Sequence, residues 1–271
     1  MPDRLLKFSF SNAGTTQHVQ KTGCQGTAEV GLLCTGGQAR SRGDHGAGKG
    51  SDIHDYGTVL KFLNGNRHVV VAGSSNSPRH SKVKIFAPNI EQRDVVDHLK
   101  GSPTEEKRNV LVESARLARG NIQDLAELKV GEFDAVIFPG GFGVAKNLCS
   151  WAVDGKNCTV NEHVNSTLQA FHSAKKPIGL CCISPVLAAK IFPGCEVTVG
   201  QDKNVDGRFP DAETASAIAE LGCKHICKNV NESHVDKANK IVTTCAFMCK
   251  APLHEIFDGI GTMVQEVLKL A

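Results

Sequence analysis

A chain of 271 residues with 41% hydrophobic and 22% charged residues has enough apolar material for a packed core, either one large α/β domain or two small ones. A net charge of +3 with acids and bases interspersed, and only one Trp and one Tyr, argues against a nucleic-acid surface and against aromatic stacking platforms. Eleven cysteines, an odd number scattered through apolar segments, do not form a small secreted disulfide framework and point to a reducing compartment; Cys223/Cys227 and Cys245/Cys249 enclose three residues rather than the two of a metal ribbon, so no metal is expected.

Residues 1–28 hold Arg4, Lys7 and Lys21, several Ser and Thr, and a single acid, Asp3, a composition that fits a mitochondrial presequence and fits a plain polar tail equally well. Glu29 to Cys34 reads as a first buried strand. From Gln38 to Ser51 the chain is rich in Gly, Arg and Ser and has no periodicity, which reads as loop. Its Gly43 to Gly50 run is close to a phosphate-binding loop, but Gly50 stands where Ser or Thr must ligate magnesium, so nucleotide binding is not expected. Asp52 to Leu63 reads as a helix with Asp55 in its first turn, near the top of the first strand. His68–Ala72 and Lys82–Ala87 both have strand character, and the second is the better candidate for the central sheet. Helices are expected over 109–119, 160–174, 212–221 and 253–270, and strands over 132–138, 196–200 and 240–244. Alternating strands and helices imply a parallel sheet covered on both faces, with its site beyond the strand C-termini. No apolar run approaches the ~20 residues needed to span a bilayer, so no membrane is expected.

The informative stretch is Lys176 to Ala189. It begins as a short apolar strand and changes after Cys182 to helical character, with Pro185 near the first helical turn. Strand, abrupt turn and helix with a nucleophilic residue at the corner is the layout of a nucleophile elbow. There a helix N-terminus places partial positive charge beside the sulfur and favours the thiolate. The competing reading makes Cys182 a small buried hydrophobe, which is the better reading for Cys181, one position earlier and on the opposite face. A second feature lies at the end of the 132–138 strand, where Pro139-Gly140-Gly141-Phe142-Gly143 lets backbone N–H groups approach a ligand or serves simply as a tight strand-to-helix turn.

The elbow, the Phe138–Gly143 turn, Asn109–Arg116, and Ile241–Thr244 followed by Ala246-Phe247-Met248 together resemble the PfpI superfamily, the class I glutamine amidotransferase-like fold. They are most similar to the branch of the bacterial glyoxalase ElbB and its vertebrate mitochondrial relatives. The resemblance is dense from Lys82 to the C-terminus. It implies a flavodoxin-like three-layer α/β sandwich with a mostly parallel central sheet, spanning 29–271 as a single domain after the 1–28 tail, with irregular insertions about 35–51 and 66–81. It also implies a homodimer, a mitochondrial rather than cytoplasmic location, a small aldehyde substrate and no cofactor. Within it Cys182 is the nucleophile, Asp55 its acidic partner, and the N–H groups of Gly141 and Ile183 the oxyanion donors.

Several positions depart from the family pattern. Asp52-Ile53-His54-Asp55 stands where the family shows Glu-Ile-His-Glu, so the acid is one methylene shorter. Ile183 stands where proteases and amidotransferases place His, and Cys245 where the family has Pro. His163, His172, His225 and His234 read as surface or packing residues rather than triad members. Without that histidine no acid protonates a leaving amine, which argues against peptide hydrolysis and glutaminase chemistry. Attack on the aldehyde of a dicarbonyl expels no amine and stays open, as does a weak or inactive protein with a redox-sensitive Cys182.

Overall fold

The structure is a computed structural model that describes residues 29–33, 82–97 and 99–271. The 1–28 tail, the 35–51 segment with its Gly43–Gly50 run, the 52–63 helix with Asp55, the 68–72 strand and the 66–81 insertion lie outside the described residues.

In chain order the elements begin with β1 (Glu29–Leu33), β2 (Lys82–Ala87), β3 (Val95–Asp97), β4 (Ser102–Thr104), α1 (Val110–Leu117), β5 (Gln123–Asp124) and β6 (Ala135–Phe138). They continue with α2 (Trp151–Asp154), α3 (Glu162–Ser173), β7 (Ile178–Cys181), α4 (Pro185–Ile191), β8 (Glu196–Val197), α5 (Glu213–Glu220), β9 (Lys224–His225), β10 (His234–Asp236), β11 (Ile241–Thr244) and α6 (Leu253–Leu270). The central sheet runs β10-β11-β7-β6-β1-β2-β5, parallel throughout except for the antiparallel edge strand β10. This is the expected flavodoxin-like α/β architecture, and Lys82–Ala87 takes its place beside β1.

Alternation along the strands divides the core in two. Val136 and Phe138 of β6, with Ile178 and Leu180 of β7, join α3 through Val164, Leu168 and Phe171 and α4 through Val186, Leu187 and Ala188. Ala135 and Ile137 of β6 and Cys181 of β7 face the other way, against Ile260, Met263, Val264 and Val267 of α6. Helix α6 lies very close to β7: a Cβ at Gly179 falls 2.8 Å from Val267 Cγ2. Asparagines start two of the helices as caps. Asn109 Oδ1 accepts from Val112 N–H at 3.1 Å, and Asn161 Oδ1 accepts from His163 N–H at 3.0 Å and Val164 N–H at 3.3 Å.

The expected strand over 196–200 is shorter and lies elsewhere. Only Glu196–Val197 is extended, and it pairs in parallel with β9 in a separate two-stranded sheet. Thr198 N–H is taken by Thr243 Oγ1 at 2.9 Å and the chain turns at Gly200, where φ is +112°, so a longer strand cannot form. The strand expected from Glu132 starts at Ala135, because 130–132 winds into a 3₁₀ turn that places Phe133 edge-on against Phe86. The β3–β4 hairpin and the edge strands β5 and β10 have no counterpart in the sequence reading; two- and three-residue strands are too short to show a period.

Candidate functional site

Parallel strands bring their C-terminal ends to one edge, so the exits of β6, β7 and β11 lie side by side. β7 ends at Cys181, and the next residue, Cys182, has φ +59°, a left-handed conformation that costs a non-glycine residue about 1–2 kcal/mol. Cys182 N–H donates to Thr244 O at 3.0 Å, which carries the β7–β11 pairing one residue past the strand and holds the corner. The thiol is reduced and only 2% exposed. Cys181 is fully buried on the α6 side of the sheet, the packing role expected for it.

Two residues after Cys182 comes Ser184, at the N-cap position of the seven-residue α4, with Pro185 opening the helix. Ser184 makes no capping bond. Its fully buried hydroxyl instead donates to Pro139 O at 2.8 Å, fastening the elbow to the turn after β6. The sequence reading missed this residue; the available signal was a serine between the nucleophile and the helix.

The turn after β6 passes through Gly141 at φ +112° and runs directly into a five-residue π-helix, Val144–Leu148. Such wide turns cluster at functional sites. Gly141 O accepts from Val144 N–H at 3.1 Å. Gly141 lies in the turn after β6 and Ile183 directly after the Cys182 corner, so the structure places these three residues beyond the C-terminal ends of the neighbouring strands β6 and β7. Behind the turn, Arg93 N–H donates to Asn147 Oδ1 at 3.0 Å, and Lys146 pairs with Asp94 at 2.5 Å with its Nζ 5.1 Å from the Phe142 ring centre. The third exit also turns left-handed, at Ala246 with φ +42°, after a fully buried Cys245.

Of the four histidines considered from sequence, His172, His225 and His234 have structural partners. His163 lies exposed on α3. His172 hydrogen-bonds Asn239 at 3.0 Å and stacks on Phe192 at 4.5 Å. His234 hydrogen-bonds Glu196 at 3.0 Å, and His225 Nε2 accepts from Val199 N–H at 3.2 Å, its burial holding the imidazole below its ordinary pKa. Among the described residues no three His, Cys, Asp or Glu side chains gather as a metal site. Cys223 lies against Cys195, with the sulfurs 3.6 Å apart, while Cys227 is exposed.

A mostly parallel three-layer sandwich with a cysteine at a left-handed corner after a central strand is the layout of a class I glutamine amidotransferase-like domain. No family model matches the chain. It is 54% identical over 222 residues to the rat "ES1 protein homolog, mitochondrial", covering 82% of this chain and 79% of that one. It is also 54% identical over 222 residues to the human "glutamine amidotransferase-like class 1 domain-containing protein 3, mitochondrial", covering 82% and 78%. The crystal structure of an isoprenoid biosynthesis protein with amidotransferase-like domain from Ehrlichia chaffeensis superposes with a TM-score of 0.71 at 30% identity, over 90% of this chain and 99% of that one. The chain belongs to the mitochondrial ES1 family of glutamine amidotransferase-like class 1 domain proteins, within the PfpI superfamily. The mitochondrial names of these relatives bear out the expected location.

Proposed function

We propose that this protein is a cofactor-independent, glyoxalase-like enzyme that acts on small reactive dicarbonyls through Cys182. The observation that carries the reading is the left-handed corner at Cys182: a non-glycine residue is kept in a costly conformation at the sheet edge that carries sites in this fold. In the proposed reaction the Cys182 thiolate adds to one aldehyde carbon of glyoxal, forming a C–S bond while the carbonyl oxygen takes the negative charge. The N–H groups of Gly141 and Ile183 receive that oxyanion, and a proton converts it to the hemithioacetal hydroxyl. Asp55 then takes the proton on the sulfur-bearing carbon and returns it to the neighbouring carbonyl carbon, the hydroxyl proton passes from the first oxygen to the second, and the hemithioacetal becomes a thioester of the hydroxy acid. Water hydrolyses the thioester and regenerates the thiol, so glyoxal and one water give glycolate. Ile183 in place of histidine is compatible with this sequence, because no amine leaves. A homodimer acting in mitochondria, with residues 1–28 as its targeting segment, completes the proposal.

A second reading is favoured by one departure: Asp55 reaches one methylene less far than the family's glutamate. On that reading the protein is a weak or inactive relative whose Cys182 senses oxidants. Turnover of glyoxal and methylglyoxal by wild type, Cys182→Ser and Asp55→Glu separates the two. The proposal expects turnover in wild type, a faster Asp55→Glu variant and none in Cys182→Ser. Inert wild type with an active Asp55→Glu variant identifies a decayed enzyme. If all three are inert while iodoacetamide alkylates Cys182 rapidly, the redox reading replaces the catalytic one, and an inert, unalkylated Cys182 overturns both.

A further inference from the structure

A second pair of nucleophilic groups lies away from the elbow, at the other end of its helix. Cys195 and Cys223 immediately precede β8 and β9, whose parallel register pairs Glu196 with Lys224 and Val197 with His225. Gly194 N–H donates to Gly222 O at 3.0 Å and Lys224 N–H to Cys195 O at 2.9 Å, so the two cysteines face each other across one rung of this small sheet. Neighbouring strands lie about 4.8 Å apart, inside the Cα separation of about 4.4–6.8 Å that a disulfide accepts. The sulfurs are 3.6 Å apart in the reduced protein. From this geometry we infer that Cys195 and Cys223 form a peroxide-driven, reversible disulfide that locks β8 to β9.

The surroundings of the two thiols set the order of events. Cys195 Sγ–H donates to Cys223 Sγ, and Cys223 Sγ–H donates in turn toward Ala189 O at 3.3 Å and Phe192 O at 3.4 Å. Cys223 is the more accessible, 7% exposed against 1% for Cys195, so it is the sulfur that a small oxidant reaches first; both lie just beneath the exposed Pro193-Gly194 and Gly222 turns. Burial pushes the Cys195 thiol up, which suits the resolving role. Hydrogen peroxide is small enough for such a site. The Cys223 thiolate attacks one peroxide oxygen, the O–O bond breaks, and hydroxide leaves, giving the sulfenic acid. Cys195 sulfur then attacks Cys223 sulfur and displaces the hydroxyl, so two thiols and one peroxide give one disulfide and two waters. The disulfide removes the S–H that Cys223 offers to Ala189 and Phe192 at the end of α4, the helix that starts at the elbow.

The test uses the full chain and does not depend on Cys182 chemistry. Reduced protein is treated with hydrogen peroxide, quenched, alkylated in denaturant and digested without reductant for mass spectrometry. The expected product joins the Cys195 and Cys223 peptides with the loss of two hydrogen atoms, and dithiothreitol separates them. In Cys195→Ser, dimedone is expected to label Cys223 as the stranded sulfenic acid, while Cys223→Ser leaves Cys195 a thiol. Full alkylation of both cysteines after peroxide overturns the proposal. So does a disulfide between Cys149 and Cys158, whose thiols hydrogen-bond each other, that forms while Cys195 and Cys223 stay reduced. Dimedone on Cys195 in the Cys223→Ser variant overturns the assigned order.

Discussion

The three exits of the central sheet and the β8–β9 sheet beside them are held by different kinds of bond. β6, β7 and β11 are sheet neighbours, and each is followed by a residue with positive φ: Gly141, Cys182 and Ala246. Their geometry rests on backbone pairing, as between Cys182 N–H and Thr244 O, and on one buried hydroxyl, Ser184 to Pro139 O. The β8–β9 sheet rests on side chains that titrate or oxidise. The Glu196 carboxylate accepts from Lys224 at 2.8 Å and meets His234 at 3.0 Å, Asp236 accepts Glu196 N–H at 2.9 Å, His225 accepts Val199 N–H, and Cys195 faces Cys223. The bonds that hold the Cys182 corner therefore come from backbone and hydroxyl groups that do not titrate between pH 5 and 8. The neighbouring sheet is built from groups that respond to pH and to oxidant.

The sharpest way to break this comparison is Gly141→Val. A β-branched residue at φ +112° is strained whatever space surrounds it, at roughly 1–3 kcal/mol. A urea-midpoint loss toward the upper end of that range is expected, together with loss of dicarbonyl turnover, because the N–H assigned to the oxyanion moves with the backbone. An unchanged midpoint with full turnover means that the β6 exit is an ordinary turn.

How far the sequence reveals these two regions differs in the same way. The corner at Cys182 and the glycine turn after β6 were legible because a change of period at a cysteine and a glycine pair after an apolar strand are local patterns, whereas the donor roles of Gly141 and Ile183 came only from the family resemblance. The parallel α/β sheet was legible for the same reason, since strands such as Ala135–Phe138 and Ile178–Cys181 are apolar on both faces, and its flavodoxin-like form came from the family resemblance. The β8–β9 sheet was legible only in part: β8 falls within the strand expected over 196–200, but the two-residue β9 carries no period, and the pairing of Cys195 with Cys223 joins residues 28 apart through register alone. Ser184 illustrates a subtler failure. At a helix start serine reads as a cap, yet its hydroxyl goes to Pro139 O, a long-range partner that no local rule supplies.

Ser184→Ala is the next perturbation in size. It leaves the carbonyl of the buried Pro139 without its donor and should cost about 1 kcal/mol. If this bond aligns the Gly141 and Ile183 donors, kcat falls more than KM rises, and Ser184→Thr restores part of kcat. Equal loss of stability with unchanged kinetics reduces Ser184 to a packing residue.

The smallest effect tests the β8–β9 side directly. Burial, with a like-charge contribution from His234 set against the opposing charge of Asp202, holds the His225 imidazole below its ordinary value of 6.5. Nε2 accepts a hydrogen bond from Val199 N–H and must be unprotonated to do so. The unfolded chain therefore binds a proton that the folded chain refuses. Stability is full above the ordinary value, declines as pH falls below it toward the folded value, and levels off beneath that. His225→Gln keeps an acceptor but cannot titrate, so its deficit relative to wild type should shrink as pH falls from 7.5 to 5, read from urea midpoints at each pH. Alkylation of Cys182 by iodoacetamide, compared between wild type and His225→Gln at each of the same pH values, should not differ, because the elbow rests on β7, β11 and Pro139 rather than on β8. A deficit constant with pH removes His225 from the titrating set, and a Cys182 alkylation rate that tracks it erases the separation between the two regions.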